Sequence, residues 1–326
     1  TPLSMTKPQH IVIGLSGGVD SAVSAYLLQQ QGHRVTGIYM QNWETDNEDP
    51  FCTAEQDLSD AKATCDHLQI DFQVINFSQD YWHKVFQYCL DEFQLGRTPN
   101  PDIWCNKEIK FNVFLQHAKQ LGADALATGH YAKIITTPNG PQLHKAHDHN
   151  KDQTYFLYTL NQHQLAQTIF PLANMTKPEV RALANQIGLP NSNKKDSTGI
   201  CFIGERKFKD FLKEFILGKP GNICNEAGTT LGKHDGLMYY TLGQRKGLNI
   251  GGVKNAPEAP WYVIEKNLSS NTLIVGQNHH HPKLLSKTLR CDHCHWVNQA
   301  PTFPYQCYAK TRYRQNDAAC KIMQSG

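Results

Sequence analysis

No stretch of this chain approaches the ~18 consecutive apolar residues of a membrane-spanning helix. Thr1–His10 is polar and lacks the apolar segment of a secretory signal. Both absences argue for a cytoplasmic protein with no membrane partner. Charge of one sign is also scarce. Lys and Arg number 32 against 29 Asp and Glu, a net +3. That excludes a histone-like polycation, so any contact with nucleic acid must come from a few placed residues. Charged residues total 19%, below the ~25% of ordinary soluble chains. There is no internal repeat and no long low-complexity tract. Ten cysteines in 326 residues fall far short of a disulfide scaffold. In a reducing compartment most of them read as buried fillers, Cys52, Cys65 and Cys89 among them. Two common phosphate-binding patterns, G-x-x-x-x-G-K-[ST] and G-x-G-x-x-G, are absent from the first strand-to-helix turn.

What is present suggests an α/β protein of two or three domains, since 40% of the residues are hydrophobic over 326 positions. Ile11–Ile13, Val35–Met40, Phe72–Asn76 and Ala125–Thr128 read as strands. Between them lie helical patterns: one from Ser21, one through Leu58, Ala61, Cys65 and Leu68, one from Ser78 to about 95, and one from about 106 to 121. Strands separated by helices predict a doubly wound parallel sheet. Beyond Gly129 the rhythm changes. A hairpin is expected around Pro138-Asn139-Gly140, a capped helix at Thr176-Lys177-Pro178-Glu179, and a helix over 207–217. A second hairpin is expected from Trp261–Ile264 and Thr272–Val275, with later strands at Thr288–Val297, Tyr305–Tyr313 and Ala319–Met323. The expected division is 1–206 as a catalytic α/β domain, 207–281 as a small mixed α/β domain, and 282–326 as a β domain.

Ser16-Gly17-Gly18-Val19-Asp20-Ser21 falls between the first strand and its helix. Two glycines let the backbone turn tightly and approach an anion. The helix start offers unpaired N–H groups and the positive end of its dipole. Ser16 and Ser21 add hydroxyls, and Asp20 could hold Mg²⁺ against phosphate oxygens. The pattern S-G-G-x-D-S after a first strand resembles the PP-loop ATP pyrophosphatases. Members cleave ATP between its α- and β-phosphates and adenylate an oxygen.

Two cysteines occupy unusual loops. Gly96-Arg97-Thr98-Pro99-Asn100-Pro101-Asp102-Ile103-Trp104-Cys105 is stiffened by two prolines and places Cys105 just before a helix. That position would lower its pKa, with Asp102 three residues upstream to move protons. Asp196-Ser197-Thr198-Gly199-Ile200-Cys201 has Lys194 and Lys195 nearby, which favour a thiolate at Cys201.

Taken together, SGGVDSAVSAYLLQQQGH, GRTPNPDIWCNKEIKF, ATGHYAK, KDQTYFLYTL, KKDSTGICFIGERKF, YYTLGQRKGLNIGG and KTRYRQ resemble the tRNA-specific 2-thiouridylases. The match runs from Ile11 to about Cys320. The resemblance implies an N-terminal HUP-like catalytic domain, a central tRNA-binding domain, and a C-terminal β-barrel-like domain that is incomplete here, because the family continues with further strands. It implies that ATP with Mg²⁺ activates the C2 oxygen of the wobble uridine in tRNAs for lysine, glutamate and glutamine. A sulfur-relay donor protein would load a persulfide on Cys201, Cys105 would act as nucleophile, and a transient Cys105–Cys201 disulfide would follow. By matching positions, Gly14, Leu15, Ser16, Gly17, Gly18, Val19, Asp20, Ser21, Met40 and Gly129 would bind ATP. Asn100, Pro101 and Asp102 would face the target base. Lys151, Asp152, Gln153, Arg312 and Tyr313 would touch tRNA. A monomer is expected.

Other readings stay in view. A different PP-loop enzyme, such as an amidotransferase-type synthetase or a lysidine-forming ligase, would not need the cysteine pair. A non-catalytic tRNA-binding module would not need an intact S-G-G-V-D-S. A thiol-redox protein would work without ATP. Cys291-Asp292-His293-Cys294-His295 is only half a zinc pattern, so no structural metal is expected. His279-His280-His281 reads as a solvated turn. Tyr239-Tyr240 through Gly247 reads as an RNA-backbone contact.

Overall fold

A computed structural model describes residues 7–44, 53–196 and 208–324. The acidic stretch Asp46 to Asp49, which reads from sequence as a loop, Cys52 and the Cys201 segment lie outside the described residues. By packing, the chain forms two units. One comprises 1–82, 102–204 and 295–326, the other 83–101 and 205–294. This grouping follows contact rather than chain order. Residues 83–101 join the unit built mainly from 205–294, and the last strands join the first unit, whereas the sequence suggests three consecutive segments.

The first unit is built on β1 (His10–Leu15), α1 (Val19–Gln30), β2 (Arg34–Gln41), α2 (Ala54–Leu68) and β3 (Asp71–Asn76). A helical run follows: α3 (Ser78–Tyr81), a π-helical turn (Trp82–Phe86) and α4 (Gln87–Gln94), of which 83–94 belong to the second unit. Then come α5 (Pro101–Cys105), a π-helix (Asn106–Val113), α6 (Phe114–Gln120) and β4 (Ala125–Ala127). β5 (Lys133–Thr137) and β6 (Gly140–His144) make the expected hairpin, with Gly140 at φ +103° supplying the left-handed turn residue. α7 (Gln162–Ala166), β7 (Thr168–Ile169) and α8 (Lys177–Gln186) complete this part. The two-residue β7 is too short to leave a pattern in the sequence.

The sheet is parallel, in the order β3-β2-β1-β4-β7. β1 is central, with Ile11, Val12 and Ile13 fully buried, because helices cover both faces of a parallel sheet. From β1 the chain winds outward through β2 and β3, and β4 and β7 lie on the other side. The loops after β1 and β4 therefore flank a topological switch point, where open α/β sheets bind ligands.

The second unit holds α9 (Phe208–Lys213), β8 (Gly221–Asn225), β9 (Thr230–His234), β10 (Tyr262–Asn267) and β11 (Thr272–Gly276). Its sheet runs β10-β11-β8-β9 over a core of Ile223, Leu237, Tyr240, Leu248, Val263, Leu273 and Val275. The predicted RNA contact at Tyr239-Tyr240 is corrected in part. Tyr240 is 3% exposed, and the Tyr239 hydroxyl donates to the Ile216 carbonyl at 2.6 Å and accepts from the Gly218 N–H at 3.0 Å. These rings serve packing, and the exposed positions of the segment are Leu242 and Arg245 to Gly247.

The last hairpin, β12 (Tyr305–Ala309) and β13 (Ala318–Ile322), belongs to the first unit. It docks on the segment around 141–162. The Tyr155 hydroxyl donates to the Thr311 carbonyl at 3.0 Å, the Phe156 and Tyr313 rings lie 4.6 Å apart, and Lys145 pairs with Asp317. Cys307 and Cys320 face each other across the strands with their sulfurs 3.5 Å apart, a pairing that their 13-residue separation conceals. The strand expected over 288–297 does not form. That segment is irregular and mostly exposed, with no strand partner among the described residues.

Candidate functional site

The loop after β1 is shaped by its glycines. Gly17 has φ +79°, and a Cβ there would sit 2.4 Å from the Asp57 carbonyl oxygen. The loop thus lies directly against the α2 backbone, an approach open only to glycine. Gly18 is the N-cap of α1 and no side chain caps the helix, so its first N–H groups remain a place for an anion. The loop is held from within and behind. Ser16 N–H donates to Ser21 Oγ at 3.2 Å, Ser21 Oγ donates to the Gly18 carbonyl at 3.2 Å, and buried Asn191 donates its side-chain N–H to the Gly17 carbonyl at 2.9 Å.

The loop after β4 closes in from the other side of the switch point. A Cβ on Gly129 would lie 2.7 Å from the Ser21 backbone nitrogen, so glycine is required for β4 to end against the first turn of α1. Met40, half-buried near the end of β2, brings its methyl within 3.7 Å of where a Gly14 Cβ would stand. The structure thus gathers Gly14 to Ser21, Met40 and Gly129 around one end of the sheet.

Asp20 sits among charges that the sequence does not reveal. Its Oδ1 accepts from Lys177 Nζ at 2.6 Å and from the Tyr131 hydroxyl at 2.8 Å. Burial, with the Asp20 charge beside it, pushes the Tyr131 phenol well above its ordinary range. Lys177 also meets Asp196 Oδ1 at 2.7 Å. Asp196 further receives Lys151 at 2.7 Å and Arg181 at 2.8 Å. Burial alone would raise the Asp196 carboxyl, but hydrogen bonds from Lys151 and Lys177 bring it down to about 2. On the α2 side, Lys194 spans Asp57 and Asp60 at 2.6 and 2.5 Å. Burial works against the Lys194 charge, yet these two carboxylates raise its pKa overall.

Cys105 requires a correction. The helix begins at Pro101, not after Cys105, because proline suits the first helical position. Cys105 therefore stands at the fifth residue of a helical run, where the dipole of an N-terminus has largely decayed. It is half-buried and immediately precedes the eight-residue π-helix, a geometry that recurs at functional sites. Burial raises the pKa of Asp102 and the Lys110 charge opposes that rise. His130, 9% exposed, is pushed well below its usual pKa by burial and by Lys110, and its Nδ1 lies 2.7 Å from Thr128 Oγ1. Asn106, 2% exposed, donates to the Phe156 carbonyl at 2.9 Å, and its Oδ1 has no hydrogen-bond partner among the described residues. Asn100 and Pro101 fall in the second unit and Asp102 in the first. Cys201, and with it the expected Cys105–Cys201 pairing, lies outside the described residues.

Lys151, Asp152 and Gln153 are brought near Arg312 and Tyr313 through the Tyr155, Phe156 and Tyr313 rings. Their side chains are engaged internally. Asp152 accepts from the Ala146 N–H at 2.8 Å and from Thr154 Oγ1 at 2.6 Å, and Gln153 Oε1 accepts from the Tyr131 N–H at 2.9 Å. The roles of Tyr131, Lys177, Asn191 and Asp196 at this site escape the sequence reading. Lys177 is visible there only as part of a capping box, which it also is, since Thr176 and Glu179 cap α8 reciprocally.

The family described as the tRNA methyl transferase HUP domain matches residues 9–205, and the one described as the tRNA methyl transferase PRC-barrel domain matches 209–277. The chain is 59% identical over 315 residues to the tRNA-specific 2-thiouridylase MnmA of Coxiella burnetii strain RSA 493, spanning 96% of this chain and 87% of that protein. It is 57% identical over 314 residues to the protein of that name from Colwellia psychrerythraea, covering 96% and 84%. It is 55% identical over 313 residues to the one from Legionella pneumophila strain Paris, covering 96% and 87%.

Proposed function

Since the chain belongs to the tRNA-specific 2-thiouridylase family, we propose that its phosphate loop, cysteine loops and tRNA-facing residues carry out ATP-dependent 2-thiolation of the anticodon wobble uridine in tRNAs for lysine, glutamate and glutamine. The enzyme is a sulfurtransferase that modifies tRNA. The observation that carries the mechanistic reading is the uncapped N-terminus of α1 at the switch point, held open by Gly17, Gly18 and Gly129. The donor set there fits a polyphosphate: backbone N–H groups, two serine hydroxyls and nearby ammonium groups.

ATP, when bound, supplies the adenylyl group that turns the uridine C2 oxygen into a leaving group. Gly14 to Ser21 would cradle its phosphates, Met40 and Gly129 would border the nucleoside, and Asp20 would hold Mg²⁺. Among the described residues the Asp20 carboxylate accepts its two hydrogen bonds on Oδ1, so Oδ2 would be left to the metal. Asn100, Pro101 and Asp102 would face a base drawn out of its stack, because C2 is out of reach in a stacked anticodon. Asp102, whose burial favours the neutral acid, would hold a proton at the C2 oxygen. Cys201 would present a persulfide loaded by a sulfur-relay protein. Its terminal sulfur bonds to C2 as AMP departs. The Cys105 thiolate then attacks Cys201 Sγ and breaks its bond to the transferred sulfur, which keeps the electron pair and stays on C2 as the thiocarbonyl; the Cys105–Cys201 disulfide so formed must be opened by an external thiol reductant. Arg312 and Tyr313 would meet the RNA, with Lys151, Asp152 and Gln153 ordering the adjoining turn. The work divides along the chain, with 1–206 for chemistry and 207–281 and 282–326 for holding RNA, in a monomer in the cytoplasm. Among the described residues no helix is long and apolar enough to cross a membrane.

The test supplies ATP, Mg²⁺, sulfide or a persulfide donor, and unmodified tRNA. Nucleoside mass spectrometry should find 2-thiouridine at the wobble position, and pyrophosphate release should require tRNA. Full thiolation by Cys201→Ser in the persulfide-driven reaction would overturn the mechanism.

A further inference from the structure

We propose that Lys177 binds the polyphosphate of ATP, leaving its contacts with Asp20 and Asp196 in part to take a phosphate oxygen. The inference rests on the nucleotide reading of the loop after β1 and goes beyond the residues assigned to it above.

The Lys177 ammonium is held against the first turn of α1. Its backbone is fixed at the start of α8, where its N–H donates to Asp148 Oδ2 at 2.8 Å. Its side chain is only 10% exposed. The ammonium reaches Asp20 Oδ1 at 2.6 Å, and Asp20 lies in the first turn of α1. Among the described residues it meets two carboxylates, Asp20 and Asp196. That uses two of the three N–H donors of an ammonium. The third remains for a phosphate oxygen, which would draw the ammonium part-way from the two carboxylates.

The cations are redundant at one carboxylate. Lys177, Lys151 and Arg181 all reach Asp196, and Lys177 also reaches Asp20, while Asp148, on the Lys177 backbone N–H, balances the third cation. Lys151 and Arg181 can keep Asp196 neutralised if Lys177 turns away. Asp20 keeps the Tyr131 hydroxyl bond at 2.8 Å and is freed to accept a metal. A partly buried ion cluster contributes little net stability by itself, so placing one against a phosphate loop fits a binding role.

Equilibrium binding by the full chain tests this, with α,β-methylene-ATP, which resists cleavage at the reacting bond, and with AMP as the control. Lys177→Gln should weaken the analogue 10- to 100-fold and change AMP by less than twofold. Lys177→Arg should restore much of the loss. Asp196→Asn removes a competing negative charge and should tighten the analogue. A purely structural cluster predicts the opposite pattern: Asp196→Asn weakens the analogue, and Lys177→Gln weakens analogue and AMP alike. Either result overturns the proposal. If Lys177→Gln does not fold, Lys177→Arg and Asp196→Asn decide, because only the binding role predicts tighter binding in Asp196→Asn. Failure of the wild-type chain to bind the analogue at all would instead remove the nucleotide reading and this proposal with it.

Discussion

Two lysine-bridged aspartates, Asp196 near the phosphate loop and Asp235 in the β-rich unit, are both held down at about 2, yet they reach that value by different routes. Asp235 follows β9, with its side chain 51% exposed, and takes Lys209 and Lys213 from one face of α9 at 2.9 and 2.8 Å. Hydrogen bonds from Lys213 and Lys209 account for its acidity. Asp196 must first overcome burial and does so with Lys151 and Lys177, with Arg181 as a third partner at 2.8 Å. A solvated pair dispenses with its partner at little cost. A partly buried one leaves stranded charge behind. The same acidity therefore conceals different consequences, and the phosphate-loop cluster is the one whose parts depend on one another.

The contrast is broken most directly by truncating each lysine. Lys177→Met, which leaves the Asp20 carboxylate with only the Tyr131 hydroxyl, should lower unfolding free energy by about 2–3 kcal/mol in urea titrations, somewhat below a fully buried pair. A loss within about 0.5 kcal/mol would make the two clusters equivalent. Backbone closeness sharpens it next. Gly129→Ala drives a Cβ to within 2.7 Å of the Ser21 nitrogen and should cost about 1–3 kcal/mol, with weaker ATP binding. Gly232→Ala in β9 meets nothing nearer than 4.0 Å and should stay within about 0.5 kcal/mol.

Acid comes third. A carboxylate depressed on folding stabilises above its ordinary value of 3.8, and that contribution fades as pH falls toward about 2. Stability followed from pH 5 down to pH 2 (roughly the span of this linkage) should fall less steeply in Asp196→Asn and in Asp235→Asn than in the wild type. An unchanged slope in either variant would mean that its lysines do not hold that carboxylate. The smallest effect belongs to Lys213→Ala. With Lys209 still on Asp235, it should cost no more than about 1 kcal/mol.

Much of this was legible beforehand where the signal is local. The alternation of apolar runs and helical spacing marked β1 to β4 and their helices. Thr176 and Glu179 announced the cap of α8, and Asn139-Gly140 the hairpin. The short β7 was not legible, since two residues make no period. The start of α5 at Pro101 was misplaced, because proline can end one segment or open the next, and only the path of the chain chooses. The 288–297 segment has β-forming residues but finds no partner strand among the described residues, and partners are not written in a segment's own pattern. The aromatics at 239–240 carry no mark of whether they face RNA or the core.

The sequence by itself determined the parallel α/β core, the phosphate-loop motif, the two cysteine loops and the family, because each is a pattern within a few consecutive residues. Only the tertiary structure decided which distant side chains meet. Lys177 lies 157 residues from Asp20 and Asn191 lies 174 from Gly17. It also decided that Gly129 must be glycine to let β4 end on α1, and that the last hairpin packs with the first unit. Those choices depend on loop closure and burial across the whole fold, where the energy of a contact is set by what surrounds it and not by its neighbours in the chain.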